Sequence, residues 1–409
     1  MPEARVNLRS LMARAEAAAP VGLVDAVAEG LREMLEASEV SFLIADFSGL
    51  TLSRLGHSSS PGAAREETKD RVDLSGTPQG EALMHQRAIL LEEGEATRMF
   101  VPVTTRGEAV GVLELRLPYH PDPDTVADVE VVANQLAYMV IANRRYTDLF
   151  EWGQRTVPLS LAAEIQRRVL PAAYTCEASQ FTLAAWLEPA GQVGGDTFDF
   201  SLERDTLHLS ITDAMGHSVR SALLATVVVG SLRNTRRAAG SLSDQARDAH
   251  QALISHVGSS EFVTGQLVRV DLVSETAQVI NAGHPLPYRV HDGHVEQVPL
   301  AADLPFGVGE SADWVVQDLP LLAGDRLVFV SDGVLERRPA ELDIAGVLEA
   351  SHGLHAREAV QALMHTVLES AGGELQDDAV AMCLDWIGGP ARDRVSHAGA
   401  ATTAHRQPD

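Results

Sequence analysis

The chain has 409 residues, and 57 aspartates and glutamates against 32 lysines and arginines give it a formal charge of −25. That length predicts two or three domains, and 45% apolar with 22% charged residues is the composition of a soluble globular protein. The negative balance argues against a chain whose main task is holding nucleic acid, and the longest apolar run, 222–230, is roughly half a bilayer span. Cys176 and Cys383 are too few for a disulfide framework or a thiolate metal site. With Glu3, Arg5, Arg9 and Arg14 at the start there is no secretory pattern, so the expected location is the cytoplasm, away from membranes.

Residues 1–19 form an N-terminal segment. Over 22–36, Leu23, Val24, Val27, Leu31 and Leu35 recur at helical spacing, and 40–47 reads as a strand. The stretch 48–77 is rich in Gly, Ser, Pro and charge, and predicts a long loop. Apolar alternation over 99–104 and 109–117, with Arg106, Gly107 and Glu108 between, predicts a hairpin. Val126, Val129, Val132, Leu136, Met139 and Val140 share one stripe of a helix over 125–152. That helix is expected to continue, broken near Pro158, into 159–170. There Leu161, Ile165 and Val169 fall at i, i+4, i+8, as a dimer seam or a packing face. From 387 the sequence is Gly-, Ala- and polar-rich without periodicity, which predicts a disordered tail over 387–409.

Helix, strand, long loop, antiparallel strand pair and exit helix resemble a GAF sensor domain over 20–145, with 98–103 (RMFVPV) and 110–115 (VGVLEL) carrying the likeness. No cysteine is there to link a chromophore, and His57, His85 and His120 read as surface residues, so the input ligand is not legible. Residues 146–171 are then a helical linker.

In the second half, four apolar runs each meet an aspartate. Residues 181–190 lead to Gly194, Gly195 and Asp196; 207–212 end at Asp213, with Gly216 and His217 beyond; 326–331 end at Asp332 and Gly333; Asp377 and Asp378 open 379–384. Each run has strand length and composition, so neighbouring strands would gather the carboxylates at one end of the sheets. Clustered carboxylates repel one another unless protons or cations stand between them. Oxygen-only ligands favour magnesium or manganese over zinc. Two such ions about 3.5–4 Å apart can activate a water and stabilise charge on a phosphoryl group. A single Asp-Gly is most often a turn; it is the four together that point to a metal site.

These residues lie in a series that closely resembles the SpoIIE-like branch of the PPM-type metal-dependent serine/threonine phosphatases. The series runs 165–171 (IQRRVLP), 189–200 (PAGQVGGDTFDF), 213–218 (DAMGHS), 262–264 (FVT), 282–285 (AGHP), 304–307 (LPFG) and 332–336 (DGVLE). The resemblance implies an α+β chain: a GAF-like α/β sensor, a helical linker, and over 172–386 an α-β-β-α sandwich with two Mn2+ or Mg2+ ions between its sheets. It implies that Asp213 bridges the ions with help from the Ala214 carbonyl, that Asp332 and Asp377 complete one site, and that Asp196 serves the other. Asp196 and Asp213 are the catalytic pair, and Gly195, Gly216, His217, Gly333 and Asp378 are supporting residues. It further implies hydrolysis of phosphoserine or phosphothreonine on a regulatory protein such as an anti-sigma factor antagonist, under sensor control, in a homodimer. His217 and His284 are either general acids or residues that order their loops. Ser218 stands where the family usually has Gly, and Val380 where it has Thr. These two departures support an alternative, a weak pseudo-phosphatase acting as a phosphoprotein-binding scaffold. The family's phosphate-binding Arg has no counterpart that can be placed.

Overall fold

A computed structural model of the chain describes residues 6–47, 49–55, 70–156, 158–188, 194–216, 218–256, 261–309, 313–335, 343–372, 375, 377–394, 396 and 399–400. They divide into two compact units. One holds the residues up to Pro158 with Gly399 and Ala400, and the other runs from Leu159 to Arg394.

The first unit is built from α1 (Leu8–Ala17), α2 (Leu23–Leu35), β1 (Glu39–Ala45), β2 (Thr51–Leu55), β3 (Arg71–Asp73), α3 (Pro78–His85), β4 (Ile89–Glu93), β5 (Ala96–Thr105), β6 (Glu108–Leu117), α4 (Pro123–Asn143) and α5 (Leu149–Gln154). Its sheet has the order β3-β2-β1-β6-β5-β4. Arg106 and Gly107 both take positive φ in the β5–β6 turn, the twist-matched geometry of a tight hairpin. Val27 and Leu31 of α2 and Val129, Leu136 and Val140 of α4 pack on one face of the sheet with Phe42, Val101 and Leu113. On the other face Leu43, Leu52, Phe100 and Val112 meet Ala82 and Leu83 of α3. By length and composition α4 could cross a membrane, but its apolar stripe is this core.

Several expectations are corrected here. The stretch 48–77 is not one loop: β2 and β3 lie in it, and 56–69 fall outside the described residues. The helices α1 and α3 and strand β4 were not foreseen. The helix 125–152 is interrupted between Asn143 and Leu149, where the Asn143 amide donates to the Met139 carbonyl and the Thr147 hydroxyl accepts from Leu149 N. Such side chains offer the backbone partners that a continuing helix would otherwise supply.

The second unit comprises α6 (Leu161–Val169), β7 (Thr175–Glu177), β8 (Phe181–Glu188), β9 (Thr197–Leu202), β10 (Thr206–Ala214), α7 (Val219–Arg237), α8 (Leu242–His256), β11 (Val263–Asp271), β12 (Thr276–Ala282), β13 (Tyr288–His291), β14 (His294–Gln297), β15 (Gln317–Leu319), β16 (Arg326–Val330), α9 (Asp332–Leu335), α10 (Ile344–Ala350), α11 (Ala356–Ser370) and β17 (Ala379–Trp386). Two sheets form, of order β15-β12-β11-β10-β9 and β14-β13-β16-β17-β8-β7. The period-two alternation of a strand decides what fills each layer. In β17, Val380, Met382 and Leu384 enter the core between the sheets with Phe181, Phe198, Ile211 and Phe329. Ala379, Ala381 and Cys383 of the same strand face Val360, Leu363 and Val367 of α11. Leu224, Val228 and Leu232 of α7, with Ala246 and Leu253 of α8, cover Leu267 and Ile280 of the other sheet. The result is the expected four-layer sandwich of helices, two sheets and helices.

Helix α6 starts where the Ser160 hydroxyl accepts from Ala163 N and stops before Pro171. Its buried face is Ala162, Ala163, Gln166 and Val169, whereas Leu161 is 65% exposed, so of the Leu161–Ile165–Val169 stripe only Val169 belongs to the buried face. The tail is more ordered than expected. Ile387 N and Gly388 N donate to the Gln180 carbonyl, Arg392 N donates to the Ser179 hydroxyl, and Arg394 pairs with buried Glu177. Gly399 accepts from Gly107 N in the first unit.

Candidate active site

Asp213 is the next-to-last residue of β10, opposite Thr264 of β11, and Asp196 immediately precedes β9, whose Thr197 pairs with Thr212 of β10. Asp332 opens α9 beyond β16, and Asp377 and Asp378 precede β17, the neighbour of β16. The ends of two strands from each sheet thus bring all five predicted carboxylates into one region. His217 lies outside the described residues.

Two glycines make this convergence possible. A Cβ on Gly195 would lie 2.7 Å from the Ala214 carbonyl oxygen, and one on Gly333 would lie 1.9 Å from the Asp378 carbonyl oxygen. Any side chain would push the backbone of one aspartate motif off another. Gly216 has φ +91° in the turn after Asp213 and Ala214.

The electrostatics are those of crowded carboxylates. Burial raises Asp196 well above the ordinary range, and the charges of Asp213, Asp378 and Asp332 add to this while a Ser331 hydrogen bond opposes it. Asp213 is pushed up to about 7, first by burial and then by Asp332, with further repulsion from Asp377 and Asp378 and a counteracting hydrogen bond to Asp196. Asp196 Oδ2 is buried without a hydrogen-bond partner. Among the described residues no three such side chains are drawn together closely enough to hold an ion as they stand. The donor set nevertheless fits hard divalent cations: it is all oxygen, it includes an orphaned carboxylate oxygen, and its mutual repulsion is what a cation removes.

Asp378 is held by the protein itself. Its Oδ2 accepts from Gln166 Nε2 at 2.6 Å and from Gly195 N at 3.2 Å, and its own N–H donates to Asp377 Oδ1 at 2.8 Å. Gln166, on α6, also donates to the Asp196 carbonyl at 2.6 Å. The sequence placed Gln166 inside a motif without a role, because its partners lie 30 and 212 residues away. Asp199 is buried between Arg233 at 2.8 Å and Arg236 at 3.1 Å, and Arg233 also donates to the Val169 carbonyl. These contacts tie α6, β9 and α7 together.

The two departures from the family pattern are accommodated locally in the fold. Ser218 has extended φ −151° and caps α7, its hydroxyl accepting from Arg220 N. Ser221 Oγ accepts from Ser218 N and bonds to the Gly194 carbonyl at 2.7 Å. Val380 points into the core between the sheets. Beside Asp196 a hydroxyl is still present, from Ser331, whose Oγ accepts from Val380 N. His284 is pushed down to about 3 by burial. Its Nδ1 lies 3.0 Å from the Thr264 hydroxyl and its N–H donates to Asn281 Oδ1, so it orders its turn as a neutral ring.

Residues 203–387 match the family described as Stage II sporulation protein E (SpoIIE), and residues 20–140 match the GAF domain. The first match takes in Asp213, Asp332 and Asp377; Asp196 and α6 precede it. The chain is 23% identical over 226 residues to phosphoserine phosphatase RsbU of Bacillus subtilis, covering 54% of this chain and 67% of RsbU. It is 22% identical over 184 residues to phosphoserine phosphatase RsbP of the same organism, covering 44% of this chain and 45% of RsbP. Among solved structures, the RsbU and RsbW domains of Rv1364c from Mycobacterium tuberculosis are 25% identical with a TM-score of 0.46, covering 52% of this chain and 63% of that one. The chain therefore spans about two thirds or less of the length of these relatives. The two matched segments fall one in each unit: the GAF match lies in the first and the SpoIIE match in the second.

Proposed function

We propose that this chain hydrolyses phosphoserine or phosphothreonine on a regulatory protein, such as an anti-sigma factor antagonist. The observation that carries the reading is the carboxylate cluster at the strand ends, where Asp213 is pushed up to about 7 by burial and its acidic neighbours. Asp196, Asp213, Asp332, Asp377 and the Ala214 carbonyl would hold two Mn2+ or Mg2+ ions. When bound, these ions activate a water and neutralise the phosphoryl oxygens. An oxygen–phosphorus bond forms in line as the bond to the serine oxygen breaks, and that oxygen leaves with a proton. The chain's own part is to fix the carboxylates: Gln166 and Gly195 N hold Asp378, and Ser331 holds Asp196. Ser218 caps α7 and Val380 lies in the core between the sheets, so neither takes the place of a proposed carboxylate ligand; the scaffold alternative predicts phosphoprotein binding without turnover.

The reading extends to a cytoplasmic homodimer whose GAF domain receives the input. Val131, Tyr138 and Ile141 are 47%, 47% and 39% exposed along α4, a face a second copy would cover. The test is hydrolysis of p-nitrophenyl phosphate and of a phosphoserine peptide with Mn2+, Mg2+ or EDTA. Turnover is expected with the metals, and its loss in EDTA, in Asp213→Asn and in Asp332→Asn. Turnover that survives all three would refute the reading.

A further inference from the structure

Helix α4 turns Val129, Leu136 and Val140 into the core of the first unit. On its opposite side Asp124, Ala127, Val131, Tyr138 and Ile141 are exposed, and so is Arg145, just past the helix end, where Arg144 keeps helical φ and ψ. These six follow one another at steps of three, four, seven, three and four residues, the spacing of a seam between two packed helices. Asn134 falls on the same stripe, but its amide is held by the Thr104 carbonyl at 2.7 Å. The middle of the stripe is apolar, from Val131, Tyr138 and Ile141, and its two ends carry opposite charges. Arg145 lies over the Tyr146 ring and, like Asp124, is in no ion pair among the described residues.

The pattern has a centre. Asp124 and Arg145 lie equally far from the middle of the stripe, and so do Val131 and Tyr138. A second copy laid antiparallel across this face sets each Asp124 against Arg145 of the other copy, and each Val131 against Tyr138 of the other copy. One two-fold axis satisfies all of them. A parallel copy would set Asp124 against Asp124 and Arg145 against Arg145, with like-charge repulsion at both ends. A lipid surface fits less well, because Asp122, Asp124 and Asp128 crowd one end of α4, where helices that lie on membranes carry Lys and Arg. We propose that α4 is the interface of an antiparallel homodimer, its direction fixed by the Asp124–Arg145 pairs and its apolar centre supplied by Val131, Tyr138 and Ile141. This inference rests on the homodimer reading above and is independent of turnover.

The test uses the full chain. Sedimentation velocity is expected to show a dimer whose dissociation constant rises about tenfold or more in Asp124→Arg and in Val131→Asp. Combining Asp124→Arg with Arg145→Asp is expected to restore it. Direction is read by mild oxidation of cysteine variants, since the native thiols are half-buried Cys176 and buried Cys383. Val131→Cys and Tyr138→Cys together in one chain are expected to give covalent dimers, and either alone to give none. Like positions of an antiparallel pair stand about 10 Å apart along the axis here, beyond the reach of a disulfide. Covalent dimers from Val131→Cys alone, or a dimer that neither Asp124→Arg nor Val131→Asp weakens, would overturn the assignment while leaving the homodimer reading standing. A wild type that is monomeric at every concentration would overturn both. Binding to phosphatidylserine vesicles that Val131→Asp abolishes, without dimerisation, would give this face to lipid instead.

Discussion

Asp213 illustrates how a carboxylate buried in an acidic cluster can oppose folding. Its carboxyl titrates near 3.8 when unfolded and about 7 in the native cluster. The proton it keeps in the fold stabilises the native state below pH 3.8, and that contribution is lost as pH rises through 7. The gap corresponds to roughly 4 kcal/mol at most. At pH 8 without metal, Asp213→Asn is therefore expected to be more stable than wild type in urea while losing turnover. Added Mn2+ should raise the melting temperature of the wild type and barely move the variant. Ser218 makes a smaller case at the same scale. Ser218→Ala removes the α7 cap and should cost about 1 kcal/mol, whereas Ser218→Gly should cost only a few tenths, measured by denaturant midpoint. The second value explains why Ser can stand in a family glycine's place.

Among the elements, α6 stands out because its Gln166 reaches both Asp378 and the Asp196 backbone. Gln166 is a positioning residue, and outer-shell partners of this kind typically affect metal affinity by about 10–100-fold. Gln166→Leu is expected to raise the Mn2+ concentration for half-saturation by that factor, read by calorimetry, with kcat at saturating metal much less affected. The sequence disclosed the aspartates because each sits in a motif at the end of an apolar run. It did not disclose Gln166, Asn281 or Ser331, since what they touch is set by how separate strands and helices meet. β2 and β3 were hidden for another reason: they are short and flank a Gly-, Ser- and charge-rich stretch, so composition outweighed their alternation. The interruption after α4 escaped notice because the apolar stripe resumes in α5, and periodicity does not register a break of a few residues.

At the scale of the whole molecule, acid sensitivity should be governed by buried neutral histidines. His355 is pushed down to about 3, chiefly by burial. Its Nδ1 accepts from Arg357 N, and Nε2 lies 3.0 Å from Glu177 Oε1. Between pH 6.5 and 3 the unfolded chain binds a proton there that the folded chain refuses, so stability is lost as pH falls through this window. Each such histidine contributes a slope of up to about 1.4 kcal/mol per pH unit. His355→Gln should flatten the urea-derived stability profile between pH 4 and 6 by about one proton, and an unchanged slope would show that His355 takes up its proton without disturbing the fold.

The near-contact of Gly333 with the Asp378 backbone has a consequence for how mutational tolerance at this site is interpreted. A saturation library scored for activity would rank positions 195 and 333 with the aspartates, although neither glycine has a side chain to ligate with and the Gly195 N–H that reaches Asp378 is one every residue but proline would keep. Intolerance there would measure the absence of room for a single carbon atom. Supplying excess metal could restore some aspartate variants whose binding is merely weakened, but it could not restore a glycine variant, because no concentration of ligand creates volume.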